Sequence, residues 1–215
     1  MSLTLYFHPL SSFCQKALVA LYENDTPFQG HIVDLGDAKS RADFLKIWPI
    51  GKFPVLHDTA RKHTIPESTI IIEYLAQHYP GKTQLIPANA DRARQTRMHD
   101  RFFDLYVHFP MQDIVGDRLR PAAKRDPFGV EQARARLATA LDMIEQDMAS
   151  KTWAMGDAFT MADCAAAPAL YYANLVMPFA TTHKTVTRYF DRLLARPSFA
   201  RAVKEAEPYR HLFPK

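Results

Sequence analysis

Apolar positions in the first eighty residues fall in short runs, whereas beyond residue 90 they recur every three or four. Residues 3–8 (LTLYFH) form an aromatic-rich run closed by Pro9, which reads as a short strand. Ser11 or Ser12 then offers an N-cap. Phe13, Ala17, Leu18, Leu21 and Tyr22 mark one face of a helix that ends near Asn24. Thr26-Pro27 introduces a second strand over 28–34, and residues 38–47 form a short helix. Short strands over 55–57 and 63–65, separated by a turn, lead to a helix beginning near Glu67. A parallel pair of strands needs a crossover, and the helix after Ser11 supplies it.

Residues 80–90 (PGKTQLIPANA) carry two prolines, a glycine and no periodicity, so they read as a linker. Residues 91–119 then place Met98, Phe102, Tyr106 and Phe109 along one helical face, with a kink expected at Pro110. Residues 130–148 carry Ala133, Leu137, Leu141, Ile144 and Met148 as an amphipathic stripe. Thr160 and Asp163 have capping-box spacing at the start of a further helix, and two shorter helices are expected around 188–195 and 199–206. The predicted fold is α/β plus all-α. A thioredoxin-like N-terminal domain (1–80) with a mixed four-stranded sheet is followed by a linker (81–90) and an all-helical domain (91–215).

Composition narrows the class. Of 215 residues, 47% are hydrophobic and 23% charged, which suits an ordinary globular chain rather than a disordered one or a coiled coil. The start MSLTLYFHPL lacks both a basic region and a sustained apolar core, so no signal peptide is expected. The run 164–180 is interrupted by Pro168, Asn174 and Pro178 and is too short to span a bilayer, so no membrane partner is expected. Two cysteines, Cys14 and Cys164, make no disulfide framework and point to a reducing, cytoplasmic setting. The net charge of +4 is spread over every segment. Its densest groups, Arg92/Arg94/Arg97/Arg101 and Arg118/Arg120/Lys124/Arg125, alternate with acids or apolar residues, as a solvated face does rather than a nucleic-acid footprint.

The chemistry concentrates in residues 49–75. Pro54 opens a strand, and X–Pro bonds tolerate cis, so this position suits a tight turn that leaves Phe53 with a free backbone edge for an extended peptide. Pro66-Glu67-Ser68 opens a helix whose free N–H groups and dipole attract a carboxylate.

The succession of residues 3–21 (LTLYFHPLSSFCQKALVAL), F-P-V-L at Phe53–Leu56 and P-E-S before I-I-I-E-Y-L resembles the glutathione-binding half of the cytosolic glutathione transferases. The resemblance covers most of residues 3–80, and it is nearest to the bacterial, serine-type members of the theta, delta and zeta kind. It implies a detoxifying transferase with glutathione as co-substrate, a small hydrophobic electrophile as partner, and a homodimer. By the resemblance Ser11 donates its hydroxyl to the glutathione sulfur, with Ser12 as alternate if the register slips and Tyr6 as a tyrosine-type alternative. A thiol has an ordinary pKa near 8.5 and only the thiolate attacks, so a hydroxyl donor and a helix N-terminus both serve. Phe53 and Pro54 are assigned to the cysteinyl backbone, Glu67 and Ser68 to the γ-glutamyl end, and Lys52 to the glycine carboxylate. Gly51-Lys52 stands where many serine-type members have histidine. Asp100 or Asp104 is a candidate for the γ-glutamyl amine across a dimer. The Thr160–Asp163 capping box is also a feature of these transferases, and its role is structural. The electrophile pocket is expected from Leu10, Phe102, Phe103, Tyr106, Phe109 and Met111, with residues 209–213 nearby.

Cys14 lies one turn beyond the place where redox-active relatives carry their cysteine, so a buried filler fits it better than a thiol–disulfide centre. A glutathione-dependent isomerase or dehalogenase, and a non-catalytic binding or stress-regulatory protein on the same fold, stand as alternatives. The nine histidines show no metal-binding spacing, and no P-loop, dinucleotide or nucleophile-elbow motif is present.

Overall fold

The computed structural model describes residues 2–214. A four-stranded sheet in the order β2-β1-β3-β4 is built from β1 (Leu3–Phe7), β2 (Gln29–Ile32), β3 (Val55–Asp58) and β4 (His63–Pro66). β1 runs parallel to β2 and antiparallel to β3, so the sheet is mixed as expected. Helix α1 (Ser12–Glu23) makes the β1–β2 crossover, α2 (Ala38–Ile47) follows β2, and α3 (Ser68–His78) follows β4. β1 and β2 are shorter than the sequence suggests, whereas β3 and β4 each run one residue longer. β2 begins one residue after Phe28 and ends before Val33 and Asp34, which leave the sheet toward the loop ahead of α2.

Ser11, not Ser12, caps α1: its Oγ accepts the Cys14 N–H at 3.4 Å. The helix is buried nearly all round because the sheet and α3 cover one flank and the helical region covers the other. The main core runs across both regions, from Leu5 and Leu18 through Ile71 to Leu137, Leu170 and Leu193. A smaller apolar cluster of Val33, Phe44 and Val55 lies under α2, with Tyr6 against it.

The helical region starts with α4 (Ala90–Phe102), capped by Asn89. The single kinked helix expected over 91–119 is instead α4, a π-helical turn (Phe103–His108) and α5 (Phe109–Arg118). Pro110 has no N–H for the ladder and its ring crowds the preceding turn. The widened turn lies immediately upstream, where the ladder accommodates both effects. Helices α6 (Pro127–Asp147), α7 (Met161–Val176), α8 (Lys184–Ala195) and α9 (Pro197–Ala206) complete it, followed by a 3₁₀ segment (Glu207–Leu212). At the start of α7, Asp163 Oδ2 accepts the Thr160 N–H at 2.9 Å, while its Oδ1 accepts the Ala154 N–H at 2.8 Å and the Tyr189 hydroxyl at 2.6 Å. Among the described residues no helix is long and apolar enough to cross a membrane.

Candidate active site

Sheet register brings two distant stretches together. Val55 pairs with Pro66 across the β3–β4 hairpin, so Pro54 and Glu67, the flanking residues, lie side by side at one end of the sheet. The Phe53–Pro54 peptide is cis. Glu67 is a non-glycine residue at φ +69°, where an L side chain is strained, and it leads directly into the N-terminus of α3. Ser68, the first residue of α3, is buried. The N-terminus of α1, with Ser11, faces the same space.

A cleft of about 680 Å³ results, lined by Ser11, Lys52, Phe53, Pro54, Glu67 and Ser68 and closed on the helical side by Phe109, Arg101 and Asp104. Ser11, Lys52, Phe53, Pro54, Glu67 and Ser68, assigned by resemblance to the sulfur and the tripeptide, all line it, as does Asp104 but not Asp100. Because the capping role uses Ser11 Oγ as acceptor, its hydroxyl hydrogen is left to donate into the cleft.

The alternates lie elsewhere. Ser12 is turned inward, its Oγ 3.1 Å from Nε2 of His108. Burial, with Lys16 nearby, pushes the His108 imidazole down to about 3, so it stays neutral. Tyr6 points to the α2 side of the sheet, its ring 5.0 Å from that of His31. Cys14 is fully buried, and burial raises its thiol to about 12 despite the contacts with Ser11 and the His8 backbone. That is the state of an inert thiol.

The expected electrophile set is divided by the structure. Phe109 lines the cleft. Phe102 and Phe103 instead line a separate apolar groove of about 220 Å³ between α4 and α6, with Met98 and Met143. Met111 is core, Tyr106 is exposed against Phe102, and Leu10 packs on the core with its carbonyl accepting the Tyr172 hydroxyl at 2.6 Å. The π-helical turn rotates the aromatic stripe, so residues before it and after it face different spaces.

Sequence reasoning missed Phe13, Thr69, Arg101 and Gln112 in the lining. It also missed the charge cluster behind it. Lys16 is 1% exposed, and its Nζ lies 2.7 Å from Asp100 Oδ1 and 2.8 Å from Asp104 Oδ2. Thr69 receives a hydrogen bond from Lys16 at 2.8 Å and donates to Asp100 Oδ2 at 2.8 Å. Arg101 Nη1 reaches Asp104 Oδ2 at 3.1 Å. Burial raises the Asp104 carboxyl above its ordinary range, against the pull of Lys16. A lysine within the apolar run CQKALVAL was the available signal, since a buried ammonium requires carboxylates. Asp100 is consumed by this cluster, whereas Asp104 borders its own chain's cleft. Among the described residues no group of three or more His, Cys, Asp or Glu side chains could hold a metal ion.

Comparison with known proteins agrees with this layout. The family model of the glutathione S-transferase N-terminal domain matches residues 5–83, and that of the C-terminal domain matches residues 127–201. The chain is 36% identical over 148 residues to the glutathione S-transferase-like protein LUC7 of a Fusarium species, a match covering 69% of this chain and 64% of that relative. Escherichia coli glutathione S-transferase GstB is 26% identical over 203 residues, covering 94% of this chain and 97% of the relative. A glutathione S-transferase from Methylobacterium radiotolerans, solved in complex with glutathione sulfonate, superposes with a TM-score of 0.82 at 26% identity over 94% of each chain.

Proposed function

This chain belongs to the glutathione S-transferase family, and we propose that it is a glutathione transferase whose Ser11 holds the glutathione sulfur as thiolate. The observation that carries this reading is the single cleft that gathers the Ser11 hydroxyl, the cis Phe53–Pro54 edge and the Glu67-Ser68 helix start. The α1 dipole and the Ser11 O–H both favour a negative sulfur. The Phe53 backbone pairs with the cysteinyl unit, and Ser68 with the α3 N-terminus takes the γ-glutamyl carboxylate. Lys52 meets the glycine carboxylate as a point charge. The thiol proton passes to water, and the thiolate attacks an electrophilic carbon held against Phe109 and Phe13, forming the C–S bond. Either a leaving group departs with its electron pair, or the π bond of a conjugated acceptor breaks and its carbanion takes a proton from water. Rate comes from thiolate stabilisation and from holding both reactants together. Residues 1–80 supply the glutathione half and residues 91–215 the electrophile wall.

Two copies pair through the apolar groove between α4 and α6, where Met98 is 52% and Met143 54% exposed. Free cysteines and a thiol co-substrate favour a reducing, cytoplasmic setting.

The test is a pH titration of bound-glutathione thiolate absorbance in wild type and Ser11→Ala. A thiol pKa depressed in wild type and restored by the substitution supports the assignment. Glutathione that does not bind at all would sink it.

A further inference from the structure

We propose that His8 is a positioning residue for Ser11: its imidazole closes the turn that carries Ser11 and so fixes where the serine hydroxyl meets the sulfur. The inference rests on the function proposed above.

The chain between β1 and α1 is His8-Pro9-Leu10-Ser11, and it forms a β-turn in which the Ser11 N–H donates to the His8 carbonyl at 3.0 Å. Pro9 stands second in the turn, where its fixed φ is favoured. Such turns commonly begin with aspartate or asparagine, whose side-chain oxygen accepts the N–H two residues on. His8 does the same with a ring nitrogen, for its Nδ1 accepts the Leu10 N–H at 3.2 Å. The accepting atom is bonded to Cγ in all three side chains, so the closed ring is the same size. Acceptance at Nδ1 requires the neutral imidazole with its hydrogen on Nε2. Burial favours that state by holding the imidazole below its ordinary 6.5, against the pull of Asp34.

The rest of the turn is tied down as well. The Pro9 carbonyl accepts from Gln15 Nε2 at 3.0 Å, and the Leu10 carbonyl accepts the Tyr172 hydroxyl at 2.6 Å. The His8 ring lies between two others. It stacks on Phe53, with centroids 6.2 Å apart and 24° between the planes, and meets Tyr209 edge-on at 4.9 Å. Phe53 carries the backbone edge proposed for the cysteinyl unit, so one side chain joins the two parts of the cleft that must agree on the sulfur's place. The cap bond of Ser11 is long, 3.4 Å from Oγ to the Cys14 nitrogen, and holds the hydroxyl weakly. The preceding turn therefore sets its position. A misplacement of about 1 Å can cost about a hundredfold in rate.

Asparagine keeps the acceptor on Cγ, whereas leucine keeps bulk without it. Wild type, His8→Asn and His8→Leu are compared by the pKa of the bound glutathione thiol, read from thiolate absorbance, and by calorimetry with S-methylglutathione, which has no thiol to ionise. His8→Leu should raise the bound thiol pKa by about one unit, a tenfold loss of thiolate, while binding S-methylglutathione within about twofold of wild type. His8→Asn should hold the thiol pKa within about 0.3 unit of wild type, because it rebuilds the same turn. Equal pKa shifts in the two variants, or none in either, would overturn the proposal. So would a leucine variant that weakens S-methylglutathione tenfold, since His8 would then act on the tripeptide and not through Ser11. If His8→Leu does not fold, His8→Gln takes its place, with its acceptor one bond further along, and the same outcomes apply. Wild type that binds no glutathione, or binds it with an ordinary thiol pKa, removes the proposed function as well. Wild type with a depressed thiol pKa that His8→Leu matches removes this inference alone.

Discussion

Lys16 and Asp104 face each other at 2.8 Å across the junction of α1 with the π-helical turn, and the next matched pair, Ser12 with His108, is one turn away on both elements. The α1 helix is thus pinned to the helical region by two polar contacts in antiparallel register, directly beneath Ser11. Lys16→Met keeps most of the apolar side chain and removes its charge. Asp100 then loses its counter-ion and Asp104 keeps only the half-exposed Arg101, so stability should fall by about 3–5 kcal/mol, read from urea midpoints. A loss below about 1 kcal/mol would mean that water reaches the cluster.

His108 makes stability depend on pH. Its folded pKa of about 3 lies below the ordinary 6.5, so the unfolded chain binds the extra proton between those values. Its contribution is complete above pH 6.5 and declines as pH falls toward 3, by about 1.4 kcal/mol per unit. His108→Gln should flatten that part of the profile while keeping a partner for Ser12. An unchanged slope would show that His108 is already protonated in the native protein.

Ser11 serves as cap and as thiolate donor, and two substitutions separate the roles. A cap serine replaced by glycine costs a few tenths of a kcal/mol, and by alanine about 1 kcal/mol. Both variants should lose thiolate formation alike. Activity that tracked stability instead would reduce Ser11 to a cap.

Burial keeps the Cys14 thiol near 12 and that of Cys164 well above its usual range. The native protein should therefore not react with Ellman's reagent at pH 8 within minutes, and both thiols should appear in urea. Rapid labelling of one thiol in the folded state would reopen a redox role for Cys14.

If two copies pair through the α4–α6 groove, Met98→Lys should shift the sedimentation coefficient toward that of a single chain at micromolar concentration. A wild type that already sediments as one chain rejects the pairing.

Most of the thioredoxin-like layer is legible in the sequence because local signals decide it. Asp37 caps α2, whose span of residues 38–47 matches the periodicity, and Pro9 closes β1. The tripeptide-facing half of the cleft was legible for a related reason: one hairpin places Phe53-Pro54 beside Glu67-Ser68, and hairpin register follows from short-range order. The helical wall was not. Arg101 looks like one of a solvated basic group, and Asp104, a candidate only for contact across a dimer, is instead held within its own chain by Lys16 and by Arg101 one turn back. The aromatic stripe misled because its spacing presumes an unbroken α-helix, and the turn at 103–108 violates that premise.

That turn fixes an angular phase between α4 and α5. One residue turns an α-helix by about 100°, so deleting Leu105 or Val107 from this segment would swing Arg101 and Asp104 away while Phe109 stayed against the cleft. Chain length at this point is therefore part of the site's specification, as surely as the side chains themselves. A shortened segment would preserve every cleft-lining residue and still present a different wall to the ligand.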